Sequence, residues 1–197
     1  MSDVLFEADD DANTPLTPQE REGLIPSYVT TRAELNEAEQ ENIDEADDWA
    51  FRRRRSDVLS FDFLLGLHKR MLGKVWRWAG KPRNTERNIG IAPYQVETEL
   101  HQLVGDCRYW VEQSAYTPDE LAVRFHHRLV SIHPFPNGNG RHARLAADLL
   151  IVQLGGQRFS WGGADLVVRA EMRRRYVEAL RAADRHDIRP LLAFARS

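Results

Sequence analysis

Pro134, Pro136, Gly138 and Gly140 fall within seven positions and separate two stretches that each carry apolar residues at helical spacing. This break constrains the fold more than any other feature, because it forces two core helices to meet at one stiff loop. Before it, Thr117-Pro118-Asp119-Glu120 is a strong helix start: an N-cap, a proline in the first turn, and acid where the helix dipole favours it. Leu121, Phe125, Leu129 and Ile132 then line one face. Pro134 pushes Ile132 and His133 out of helical geometry, so that helix stops there. Beyond the loop, a helix starting near Gly140 or Arg141 carries Ala143, Leu145, Leu149, Leu150 and Leu154, and ends at Gly155-Gly156.

The rest of the chain reads the same way. Residues 1–22 are acidic, contain Pro15 and Pro18, and read as a flexible arm. Residues 23–55 form an N-terminal helical region, in which Thr31 and Glu34 make a capping box and an acidic helix runs past Trp49. Residues 56–197 form the main domain. In it, helices are expected from near Ser60, over Val96 to Trp110, and twice between Val167 and Arg196. Between Trp78 and Pro93, Gly80, Pro82 and Gly90 break helices, and Asn88-Ile89-Gly90-Ile91 alternates as an extended ribbon would. The expectation is a mostly α fold with a short β-hairpin.

Composition narrows the function classes. The net charge of −3 gives no global pull toward nucleic acid or anionic membranes, and no direct nucleic-acid binding is expected. No apolar run is long enough to span a bilayer, so no membrane role is expected. The start of the chain lacks a basic segment followed by an apolar core, and a cytoplasmic setting is the plain expectation. Cys107 is the sole cysteine, which excludes an internal disulfide and a cysteine-rich zinc site. Arginine far outnumbers lysine, a bias that points to a GC-rich, bacterial genome rather than to chemistry.

The chemistry concentrates in the loop from His133 to Arg141. His133 sits at a helix end on a stiff Pro-x-Pro segment, and Phe135 is placed to anchor the loop in the core. Gly138-Asn139-Gly140 permits tight backbone turns and leads into a helix N-terminus, where unpaired N–H groups favour anions. Arg141 and Arg144 project from that helix, and guanidinium groups suit phosphate oxygens. A base, a backbone cradle and two arginines together can hold a polyphosphate and activate a hydroxyl. Each feature alone is commonplace, since short motifs match often by chance; their contiguity is what is specific.

The run His133 to Arg144, HPFPNGNGRHAR, resembles the signature of the Fic family, HPFx(D/N)GN(G/K)RxxR, at every specified position. Phe125-His126, Trp78-Ala79-Gly80-Lys81, Arg83 and Asn88-Ile89-Gly90-Ile91 extend the likeness, and the layout is similar to the small Fic proteins labelled mobile mystery protein B. The resemblance implies a Fic-type helical core with a β-hairpin flap, and transfer of AMP from ATP to a Ser, Thr or Tyr hydroxyl of a target protein. It makes His133 the general base and Asn137 the ligand of Mg²⁺. The Gly138, Asn139 and Gly140 backbone would hold the diphosphate, Arg141 the β-phosphate and Arg144 the γ-phosphate. Asn137 stands where aspartate is commoner, which weakens the grip on the metal. Gly140 stands where the phosphorylating Doc subgroup has lysine. The flap, Thr85, Glu86, Arg87, Asn88, Ile89, Gly90 and Ile91, would hold the target by main-chain pairing.

The family also implies a brake, a helix with the pattern (S/T)xxxE(G/N) whose glutamate pairs with the second arginine. Glu41-Asn42 supplies the final pair, although Glu37 stands where Ser or Thr is expected. With Leu35, Ala38, Ala46 and Trp49 making an apolar stripe, Glu41 at its edge is the expected regulatory residue and Asn42 its neighbour. The incomplete pattern leaves open a separate antitoxin-like inhibitor. Other readings also stand: the same fold with another donor or reaction, or a silent binding module. A metal centre built on His126, His127, His133 and His142 is disfavoured, because Pro134 breaks the helical geometry such ligands would share.

Overall fold

Ser60 and Thr117 each accept a hydrogen bond from the third residue of the helix they open. Those helices are α3 (Phe61–Leu72) and α5 (Pro118–Ile132) in a computed structural model that describes residues 16–52, 57–163 and 169–197. The other helices are α1 (Pro18–Arg21), α2 (Arg32–Arg52), α4 (Val96–Glu112), α6 (Asn139–Gln153), α7 (Arg169–Asp184) and α8 (Arg189–Arg196). Residues 1–15 of the acidic arm, Arg53 to Arg55 of the basic run, and Val167 lie outside the described residues. No described helix is long and apolar enough to cross a membrane.

The pair α5 and α6, joined by the His133–Gly138 loop, forms the centre. Helix α4 packs on α5, α3 on α6, α2 on α3, and α7 with α8 closes the far side. Leu64, Leu67, Met71, Leu100, Leu103, Phe125, Leu129, Leu150 and Ile151 are sealed between them. Helix α2 docks through Leu35, Ala38, Ala46 and Ala50. Asn42 on the same face is structural: its amide donates to the Arg70 carbonyl at 2.9 Å and accepts from Lys74 N–H at 3.0 Å, tying α2 to the end of α3.

Two expectations differ from what forms. The end of the arm is ordered: Thr17 and Glu20 close a capping box around α1, Leu16 is buried, and Trp78 Nε1 donates to the Glu20 carbonyl. The proline that suggested a loose arm instead occupies the first turn of α1, where it costs no hydrogen bond. The β-hairpin does not form either; among the described residues the only β-bridge joins Leu24 to Trp76, outside the flap. The carbonyls of Thr85 and Ile91, which in a hairpin would accept from N–H groups across the ribbon, accept from the Arg83 guanidinium.

Asp148, buried within α6, receives Arg158 Nε at 2.9 Å, Trp161 Nε1 at 2.9 Å and the Phe159 N–H at 3.3 Å. Arg158 continues to Asp47 on α2, so one carboxylate fastens the segment after α6 and, through it, the N-terminal helix. Removing one partner of such a buried set leaves the others unpaired. Asp148→Ala is expected to cost about 3 kcal/mol, read as a lower urea midpoint at unchanged slope. A loss under about 1 kcal/mol would mean the network contributes little.

Candidate functional site

His133 is the C-cap of α5 and holds a left-handed conformation, φ 54° and ψ 61°. That conformation costs a non-glycine residue about 1–2 kcal/mol and persists only where its surroundings enforce it. Arg83 supplies the enforcement: its Nε donates to the His133 carbonyl at 2.7 Å, and its own N–H donates to the Pro134 carbonyl at 2.8 Å. Gly90 closes over the other side. Its φ is +96°, and a Cβ there would lie 2.5 Å from the Cβ of His133, so only glycine allows this approach.

The His133 side chain is almost enclosed, at 7 % exposure. Burial lowers its pKa to about 4, and the guanidinium groups of Arg83 and Arg87 push the same way. The imidazole is therefore neutral at physiological pH, able to accept a proton, and a weaker base here than an ordinary histidine.

The loop after it closes on itself. Phe135 is fully buried and Asn139 grips it twice, accepting from its N–H at 2.9 Å and donating to its carbonyl at 2.8 Å. Asn137 Oδ1 accepts from the Gly138 N–H at 2.6 Å. Gly138 takes φ +79° as the N-cap of α6, and a Cβ there would lie 2.6 Å from Leu72. The N-terminal turn of α6 and its amides thus face the same end of the core as His133. At Gly140 a Cβ would meet only the Tyr176 hydroxyl, at an ordinary contact distance of 3.8 Å.

His68 of α3, to which the sequence alone assigned no role, supports the loop from beneath. It accepts from the Gly80 N–H at 2.9 Å through Nδ1, so Nε2 carries the hydrogen and donates to the Asn137 carbonyl at 3.0 Å. It stacks on Phe135 at 3.6 Å between ring centroids. Burial holds its pKa well below the usual range, and the neutral tautomer is the one this pair of bonds requires.

The two arginines do not share an environment. Arg144 lies over the Tyr176 ring of α7 at 5.2 Å, and the Tyr176 hydroxyl is 3.0 Å from His126 Nε2. Arg141 turns toward α2, where Nη1 donates to Glu39 Oε2 at 2.7 Å. The other oxygen of Glu39 accepts from Trp76 Nε1 at 2.7 Å, and the carboxylate is buried. Glu41, the sequence-based regulatory residue, is exposed on α2. An acidic residue of α2 does meet one of the two arginines of α6, but it is Glu39, and its partner is Arg141. The signal was present: Glu39 lies four residues after Leu35 and three before Asn42, inside the apolar stripe, where a carboxylate must find a partner.

A model of the Fic/DOC family matches residues 58–151, which hold α3, the segment around Arg83, α4, α5, the loop and most of α6. Residues 58–151 carry a Fic/DOC domain. It is 31 % identical over 145 residues to the protein adenylyltransferase fic-1 of Caenorhabditis elegans, covering 72 % of this chain and 27 % of that protein. It is 30 % identical over 146 residues to the protein adenylyltransferase Fic of Nematostella vectensis, covering 72 % of this chain and 32 % of that one. The chain therefore spans about a third or less of these relatives' length. Residues 134–508 of C. elegans Fic-1 superpose with a TM-score of 0.63 at 26 % identity, covering 90 % of this chain and 52 % of that one. The BepC protein of Bartonella tribocorum, solved with bound AMPPNP, superposes at 0.70 with 17 % identity, over 91 % and 97 % of the chains, and shows the same Fic fold.

Proposed function

We propose that this chain transfers AMP from ATP to a Ser, Thr or Tyr hydroxyl of a protein target, with His133 as general base. The observation that carries this reading is a neutral histidine fixed beside a glycine-lined helix N-terminus that bears Arg141 and Arg144. The names of the adenylyltransferase relatives support it, as does the bound AMPPNP in the BepC structure. The target hydroxyl oxygen attacks the α-phosphorus while His133 accepts its proton. A P–O bond to the target forms, the P–O bond to the β-phosphate breaks, and pyrophosphate leaves. The loop amides and both arginines hold the phosphates, which is where negative charge builds up. An anionic triphosphate beside His133 also raises its pKa from about 4 toward the range useful to a base.

Mg²⁺ fits this site with one neutral protein ligand. The Asn137 side-chain oxygen, which accepts from the Gly138 N–H at 2.6 Å, is the protein atom that would ligate the ion. Among the described residues no group of three or more His, Cys, Asp or Glu side chains converges as a metal site, so phosphates and water would supply the remaining ligands. Bound with the nucleotide, the ion neutralises phosphate oxygens.

In this reading the flap, Thr85 to Ile91, receives the target segment, and Glu39 acts as the brake by occupying Arg141. Incubation with α-³²P-labelled ATP and Mg²⁺ tests the activity. Label on protein, reduced by 10²- to 10⁴-fold in His133→Ala, is the expected result. Equal labelling by native protein and His133→Ala would remove the histidine from the chemistry. No labelling of the chain or of added lysate, even in Glu39→Gly protein, would refute the reaction.

A further inference from the structure

We infer that Arg83 is a positioning residue for the transfer reaction: it sets the carbonyl path around His133 and binds the flap to it as one unit. The inference rests on His133 acting as proposed above. Arg83 is buried, and each of its four side-chain hydrogen bonds ends on a backbone carbonyl. Nε donates to His133, Nη1 to Thr85 at 2.9 Å, and Nη2 to Ile91 and, at 3.5 Å, to Ile132. Its backbone N–H adds Pro134. One residue therefore grips both ends of the flap and three successive carbonyls at the end of α5.

This grip matters because neither partner is held by regular structure. The flap has no strand pairing; its main-chain tie to the α5 end is the Ile91 N–H to the Ile132 carbonyl at a long 3.5 Å. His133 sits where α5 has ended, in a conformation that side-chain-bearing residues avoid. The guanidinium supplies a planar fork that reaches carbonyls on two sides at once; a lysine ammonium is a single point and cannot span them. Gly90 then rests on both parts, since a Cβ there would lie 2.5 Å from His133 Cβ and 3.0 Å from Arg83 Nη2. A target segment lying on the flap is thereby brought into fixed register with the imidazole.

The test uses the full chain with Arg83→Lys and Arg83→Ala, each also combined with Glu39→Gly. Three quantities are measured: equilibrium affinity for a fluorescent ATP analogue, turnover for AMP transfer, and amide hydrogen exchange over residues 85–91. Expected in both variants is a turnover loss of roughly 100-fold, with nucleotide affinity kept within about threefold. Flap amides should exchange about tenfold faster or more. Arg83→Lys keeps charge and bulk, so it reports on the fork even if Arg83→Ala fails to fold. Near-native turnover in Arg83→Lys, unchanged flap exchange, or nucleotide affinity falling in step with turnover would each overturn the inference. If the native chain transfers nothing, the proposed reaction fails, while flap exchange still decides whether Arg83 holds the flap.

Discussion

Glu39→Gly should bind ATP about 10- to 100-fold more tightly than the native chain, and AMP transfer should rise with it. On the proposed reading, the carboxylate that accepts from Arg141 at 2.7 Å competes with phosphate oxygen for that guanidinium. A hydrogen bond to a charged partner contributes about 1.5–3 kcal/mol, and each 1.4 kcal/mol is tenfold in affinity. Stability should move the opposite way. Glycine loses the acceptor for Trp76 Nε1 and weakens a helix interior by about 1 kcal/mol. Glu39→Gln keeps an acceptor for Trp76 and removes the charge, so it should gain affinity in the same direction at a smaller cost in stability. Glu41→Gly, on the exposed face, is the control and should leave affinity unchanged. Titration of a fluorescent ATP analogue distinguishes these outcomes; equal affinity in native and Glu39→Gly protein would dismiss the brake.

Below about pH 6.5 the fold should lose stability steeply. Four histidines, His68, His126, His133 and His142, are buried and held neutral. Burial is the leading cause in each, lowering His126 to about 3 and both His133 and His142 to about 4. Because the unfolded chain takes up these protons near pH 6.5 and the folded chain does not, stability is fully present above that value. It drains away as pH falls toward 4. A histidine held near 4 forfeits about 2 kcal/mol between pH 7 and pH 5. Several acting together can consume much of the 5–15 kcal/mol typical of a domain. Thermal scans at pH 7.5, 6 and 5 measure the effect. His142→Gln, which can still donate to the Leu64 carbonyl that His142 Nε2 now reaches at 2.9 Å, should flatten the slope by about one proton. A melting temperature constant from pH 7 to 5 would contradict the expected acid sensitivity.

The parts of the structure legible in the sequence are those with local causes. Ser60, Thr31 and Thr117 mark helix starts because an N-cap acts within three residues, and the break at Pro134 is equally local. The buried Phe135 and the glycines of the loop follow from the same short-range chemistry. What was missed depends on contacts across the chain. Arg83 and His133 are fifty positions apart, and Glu39 and Arg141 are separated by 102. The alternation at Asn88 to Ile91 looks like a strand, but a strand needs a partner, and Arg83 had taken the carbonyls. The partial motif ending in Glu41-Asn42 puts its glutamate on the exposed face, whereas the apolar periodicity marks Glu39 as a carboxylate in need of a partner.

The indole that holds Glu39 is also an optical probe. Trp76 stacks on Trp78 at 5.1 Å, and Trp78 stacks on His68, whose other side carries the Asn137 carbonyl. A row of rings thus runs from the carboxylate that occupies Arg141 to the loop that would receive phosphate. When Glu39 leaves, the Trp76 N–H loses a charged acceptor in a buried site, which alters the polarity its excited state senses. If Glu39 acts as proposed, tryptophan emission gives an unlabelled, real-time signal of its release, in a protein whose own residues provide the dye.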